Sequence, residues 1–233
     1  MTARVWAEWR NRVVAEYRSA ASAAAVVHDG IVAGLPAPLL HTGLRIVRDE
    51  LDHAELSHRC LEALGGGDAP IPLTPAELVG PRSDHPLADL VDAVVREFCL
   101  GETLAVPLFA AMRRDASHPA VVPVLTRILA DEAIHRQFGW DALDALLERD
   151  PDGVRDHVAA RLPGWLAGYR ASYAPDDADT GPDALTPDER AAGLLAVPQY
   201  RAVFWDTVTG DLGRRLAARG LSVAGLAPPG GAG

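Results

Sequence analysis

The sequence predicts an all-α protein, a four-helix bundle with one long crossover and further helices at its C-terminal end. Three observations carry this reading. Apolar residues recur at three- and four-residue intervals almost throughout, no stretch shows the sustained alternation with β-branched residues that marks a sheet, and glycine and proline cut the chain into long segments. The first segment reads as a helix from Arg4 to Ala33, closed by Gly34-Leu35-Pro36, and the second as a helix from Pro38 to Leu64, closed by Gly65-Gly66-Gly67. A long loop follows, proline-rich from Pro70 to Pro86. A third helix is expected from Leu87 to Arg114. It breaks at Asp115 to Ser117, and a fourth runs from Pro119 to Arg149, with proline in a tolerated first turn. Short connections join antiparallel neighbours, so the four helices form two hairpins tied by one extended strap.

Residues 1–150 are therefore expected to form the bundle and 151–221 a helical extension. Within the extension, Asp152 to Tyr173 reads as a helix and Ala174 to Leu185 as an acidic linker. Pro187 to Leu195 and Pro198 to Gly220 read as further helix. The Gly/Pro-rich tail, 222–233, is expected to be disordered.

Composition excludes several chemistries. The chain has 233 residues, and all 22 of its basic residues are arginine, which leaves no lysine for Schiff-base, pyridoxal-phosphate or Walker-type chemistry. Its two cysteines, Cys60 and Cys99, form no CxxC, so a rubredoxin-type centre, a zinc ribbon and a disulfide scaffold are all unavailable. Both read as small apolar core residues. A net charge of −10 disfavours a nucleic-acid partner. Met1 to Arg12 interleaves Arg4, Glu8, Arg10 and Arg12 with apolar residues and lacks the apolar core of a signal peptide. No run approaches the ~18 apolar residues that suggest a membrane span. The chain is read as soluble and cytoplasmic.

The strongest feature is an internal duplication. Arg45 to His53 on helix two and Arg127 to His135 on helix four both read RI-x-x-DE-x-x-H. Glutamate and histidine three residues apart project from one helix face, so Glu50/His53 and Glu132/His135 can each offer a carboxylate and an imidazole to one metal ion. Each partner helix adds a carboxylate at a matching level: Glu16 lies 34 residues before Glu50, and Glu97 lies 35 before Glu132. Four glutamates and two histidines result, and their charge of −4 balances two divalent cations. That balance offsets the cost of burying four carboxylates. Glu102 competes with Glu97. It sits five residues further on, a spacing that an α-helix separates by about 140° and a π-bulge brings together. Hairpin symmetry favours Glu97, with Glu102 an alternative or switching seventh ligand. Asp49 and Asp131 directly precede the ligand glutamates, about 100° around the helix. Each is expected to accept the ring N–H of the opposite repeat's histidine.

Glu16, Glu50/His53, Glu97 and Glu132/His135 together resemble the ligand set of the ferritin-like di-iron carboxylate superfamily. That superfamily includes ferritins, rubrerythrins, ribonucleotide reductase small subunits and bacterial multicomponent monooxygenases. The resemblance covers about Trp6 to Leu147. It implies two iron ions, or a manganese–iron pair, held by these six residues, which would also form the catalytic set, with dioxygen or peroxide as co-substrate.

The expected function is that of a non-haem di-iron oxygenase or oxidase acting on a small organic molecule and supplied by an external electron donor. The alternative is a ferroxidase, an iron-binding protein or a rubrerythrin-like peroxide-handling protein with no organic substrate. Hydroxylation of a nucleic acid, as by a ferritin-like tRNA hydroxylase, is disfavoured by the acidic balance. A homodimer is left open. Ser19, Ala20, Ala23, Gly101, Ala105 and Gly139 lie at the depth of the ligands and serve either tight helix packing or a cavity beside the metals.

Overall fold

The computed structural model of the protein describes residues 1–74, 78, 82–175 and 184–223. Among the described residues the chain is all-helical, with no strand. Helix α1 (Ala3–Ala33) is capped by Thr2, whose side chain accepts from the Val5 N–H, and stops at Gly34, whose φ of 71° is left-handed. Helix α2 (Ala37–Ala63) follows after a tight turn. Trp6 Nε1 donates to the Leu64 carbonyl at 2.8 Å, so the start of α1 lies beside the end of α2 and the two run antiparallel.

Helix α3 is one continuous helix made of three stretches, Pro86–Ala93, the π-helical Val94–Gly101 and Glu102–Asp115. Helix α4 (Val121–Arg149) returns along it, with Trp140 Nε1 donating to Thr103 Oγ1 at 3.1 Å and Arg113 donating to Thr126 Oγ1 at 2.6 Å. The two hairpins meet through α2 against α4 and α1 against α3.

Asp150 ends α4 and accepts from the Gly153 N–H, so helix α5 (Pro151–Tyr173) starts almost at once. Helix α6 (Pro187–Ala191) opens on a capping box between Thr186 and Glu189. It is shorter than the helix to Leu195 that the sequence suggests. Gly193 takes a φ of 81°, and that left-handed turn ends the helix. Helix α7 runs from Val197–Thr207 through a π-helical Val208–Leu212 into Gly213–Ala217. Most of the expected acidic linker, and all but Ser222 and Val223 of the expected disordered tail, lie outside the described residues. No described helix is long and apolar enough to cross a membrane.

Two apolar clusters form the core, and every one of α1 to α4 passes from one to the other. At one end α1 contributes Val5 and Trp9, α2 Leu61, α3 Leu108 and α4 Leu125 and Ile128. At the other end α1 contributes Val26, α2 Ile46, α3 Phe98 and α4 Trp140 and Leu143. Leu162, Phe204, Leu212 and Leu216 of α5 and α7 pack into the second cluster. Leu194 and Leu195, just after α6, pack into the first. In the gap between the two clusters each long helix carries buried polar residues.

Candidate metal centre

Glu50 and His53 of α2, and Glu132 and His135 of α4, share a face of their helix because three residues make most of one turn. All four are buried, as are Glu16 on α1 and Glu102 on α3. Their ligand-type atoms form two overlapping groups, Glu16, Glu50, His53 and Glu132 in one and Glu50, Glu102, Glu132 and His135 in the other. Within each group these atoms lie within 4.8 Å of one another, so each could hold a metal ion. Glu50 and Glu132 belong to both.

The far nitrogen of each imidazole is held by the opposite repeat. His53 Nε2 lies 3.1 Å from Asp131 Oδ2, and His135 Nε2 lies 3.4 Å from Asp49 Oδ2. Arg45 and Arg127 cross the same pairing: Arg45 reaches Asp49 at 3.2 Å and Asp131 at 3.7 Å, while Arg127 bonds Asp131 and reaches Asp49 at 3.6 Å. With Nε2 engaged, the Nδ1 atoms of both histidines turn inward, each 3.5 Å from the glutamate of its own ExxH. His135 Nδ1 lies 3.1 Å from Glu50 Oε1, but neither Nδ1 atom has a well-aligned hydrogen bond, and Glu16 Oε1, Glu50 Oε2 and Glu132 Oε2 are also buried without a partner. Buried polar atoms in native proteins are almost always paired, so five orphans spread over these two groups mark places for cations. The residues present therefore fit a metal pair.

Electrostatics say the same. Burial, then the neighbouring carboxylates Glu50 and Glu132, holds the Glu16 carboxyl well above its usual range. Burial and Glu132 do likewise to Glu102. Burial also works against ionising Glu50, but His135 and His53 outweigh it and bring that carboxyl down to about 2. Burial disfavours the charged form of His135, yet Glu132 and Glu50 raise it to about 10. The cluster thus draws positive charge from whatever carries it, protons included.

The structure corrects the choice on α3. Glu102, not Glu97, joins the cluster. The π-helical stretch widens the turn, so the Glu102 N–H bonds back to the Glu97 carbonyl five residues earlier. Glu97 consequently sits one wide turn away, with a side chain 24% exposed and paired to Arg96 at 2.7 Å. The sequence signal for this was present, in the five-residue spacing and Gly101.

A cavity of about 260 Å³ opens against the cluster, and Glu16, Glu50, Glu102 and Glu132 form part of its wall. The small residues divide between the two roles considered for them. Ser19, Gly101 and Ala105 line the cavity, and Ser19 donates to Glu50 at 2.9 Å. Gly139 serves packing instead. A Cβ there would stand 2.6 Å from the backbone of Phe98 in the π-helical stretch. Sequence reasoning missed Arg12, Tyr169, Tyr173 and Tyr200, which complete the cavity wall. Arg12 was findable, one turn before Glu16 on the same face, whereas the tyrosines come from α5 and α7 and carry no local signal. No family model matches the chain, and no curated protein matches it.

Proposed function

We propose that this protein is a non-haem di-iron oxidoreductase on a ferritin-like four-helix bundle, using dioxygen or peroxide to oxidise or oxygenate a small organic molecule. The observation that carries the reading is the buried pair of overlapping Glu/His groups with five unpartnered ligand atoms. Glu16 and His53 would serve one ion, Glu102 and His135 the other, and Glu50 and Glu132 would be shared. Carboxylate-rich sites with two histidines suit iron or manganese better than zinc or copper, so a manganese–iron pair fits the same residues. When bound, a ferrous pair supplies electrons for reducing dioxygen or peroxide, which an external donor must replace.

The chain's own residues do the rest. Asp49 and Asp131 fix the ring orientation of the histidines and raise their basicity. Four carboxylates neutralise two divalent cations, which makes burial of both tolerable. The adjacent cavity, about 260 Å³ with an apolar wall of Ala105, Leu108 and Phe109, offers room for a small organic substrate beside the ligands. One observation favours the second reading, a ferroxidase or peroxide-handling protein: Glu8 and Glu97 also line the cavity and could pass ferrous ions inward.

The deciding experiment is anaerobic loading with ferrous iron, a count of iron per chain, and rapid mixing with dioxygen in the presence and absence of small organic acids, alcohols and amines. Two irons per chain, with oxidised species whose decay a substrate hastens, support the oxygenase or oxidase reading. Two irons oxidised without substrate dependence support the second. No iron bound overturns both.

A further inference from the structure

We propose that the cavity beside the Glu/His cluster binds a small carboxylic acid with an apolar, ring-sized body, and that Arg12 receives its carboxylate. The inference deepens the metal-centre reading and rests on it for the acid's role as substrate. Arg12 stands one helical turn before Glu16 on α1, and both residues line the cavity. The Arg12 guanidinium pairs with Glu8, on the turn before it, so it stands toward the end of the cavity away from Glu16.

Arg12 is 7% exposed, and its Nη1 has no hydrogen-bond partner. Its Nη2 donates to Met112 Sδ at 3.2 Å, and a thioether is a weak acceptor. Among the described residues the one carboxylate paired with it, that of Glu8 at 3.6 Å, is a third exposed and also accepts from the Tyr200 hydroxyl at 3.3 Å. The guanidinium lies against the rings of Trp9 and Phe109, 4.6 Å and 5.1 Å from their centroids. Guanidinium keeps its charge at every relevant pH, so burying it with one donor unmet is expensive. A carboxylate supplies the missing acceptor in the planar geometry that a guanidinium prefers.

The remainder of the cavity decides the body and the orientation of the acid. Leu108, Phe109 and Ala105 make an apolar wall, and Tyr173 stacks between Tyr169 and Tyr200 with centroid separations of 6.2 Å and 6.1 Å. About 260 Å³ is below the range of drug-sized pockets and suits a single ring or a short chain. At the opposite end stand Glu16, Glu50, Glu102 and Glu132, the residues that would hold the metal pair. With its carboxylate at Arg12, the acid turns its remote end toward them.

The test uses benzoate and its neutral isostere benzamide, titrated calorimetrically into the full chain, both metal-free and loaded anaerobically with ferrous iron. Wild-type protein, Arg12→Gln and the cavity-filling Ala105→Phe are compared, with iron content and thermal unfolding measured on each sample. Benzoate should bind more tightly than benzamide. Arg12→Gln should weaken benzoate by about 10–100-fold, the usual cost of losing a hydrogen bond to a charged group, at unchanged iron content. Ala105→Phe, which leaves Arg12 intact, should also abolish binding. Equal affinity for benzamide, or no benzoate binding, overturns the proposal. Wild-type affinity in iron-loaded Arg12→Gln overturns it too, because the metal would then be the anchor. Arg12-dependent benzoate binding without iron uptake would sink the metal-centre reading alone, and two irons without benzoate binding would sink this proposal alone.

Discussion

At the scale of single residues, the choice between Glu97 and Glu102 is the sharpest point. Glu102 is buried in the cluster and Glu97 is tied to Arg96 at the cavity wall. Glu102→Ala should therefore reduce iron below two per chain, whereas Glu97→Ala should retain both. Metal analysis of the two purified variants checks this, and loss of iron only in Glu97→Ala would restore the symmetric ligand set. The cysteines give a second residue-level prediction. Burial pushes the Cys60 thiol up to about 12 and raises Cys99 as well. At pH 8 the Cys60 thiol then stays protonated, and the thiolate is the reactive form. Both cysteines should resist iodoacetamide in the folded protein and react once it is denatured, as mass spectrometry would record. Stoichiometric labelling of the native chain at pH 8 would contradict their packing.

At the scale of elements, the π-helical stretch of α3 and its fit against α4 position the site. Gly139 lets the backbone of Phe98 and Cys99 approach closely, and a Cβ there would meet main-chain atoms that cannot swing aside. Gly139→Ala should cost about 1–3 kcal/mol through overpacking, and it should weaken iron binding because the displaced stretch leads into Glu102. Gly164 on α5 is the counter-case, with nothing within 4 Å of an added Cβ. Gly164→Ala should stabilise by about 0.5–1 kcal/mol through reduced chain entropy and better helix propensity. Thermal unfolding of the two variants should move in opposite directions, and a shared sign would show that the contacts at these glycines are wrong.

At the scale of the whole molecule, a charged cluster sits between two apolar ends. Each of the four long helices is anchored at both ends by hydrophobic packing and carries buried carboxyl or imidazole groups in the middle. A cation bound only by the folded chain stabilises it by mass action, by about 2.7 kcal/mol when free metal is a hundredfold above its dissociation constant. Manganese or anaerobic ferrous iron should therefore raise the unfolding temperature, and chelation should lower it again. An unchanged temperature at saturating metal would mean that the cluster is not a binding site. Helices α5 and α7 complete the design at this scale. They contribute Phe204, Leu212 and Leu216 to the core and the tyrosines to the cavity, so the site is walled by residues distant in sequence from its ligands.

What the sequence determined by itself was local. Three- and four-residue periodicity is a property of one helix, so the helical class and most helix limits were legible without a partner. Glutamate and histidine three apart share a face in any helix, which made Glu50, His53, Glu132 and His135 legible, and the repeat spacing added Glu16. Tertiary structure decided what depends on contacts between helices. The wide turn in α3 is seated against Gly139, so Glu102 rather than Glu97 reaches the cluster, and two residues that look equivalent by spacing differ in burial. The unmet guanidinium of Arg12, packed among Trp9, Phe109 and Met112, and the tyrosines of α5 and α7 that line the same cavity are visible only in the folded chain. A side chain's face follows from its own helix, but its burial and its missing partner follow from everything packed around it.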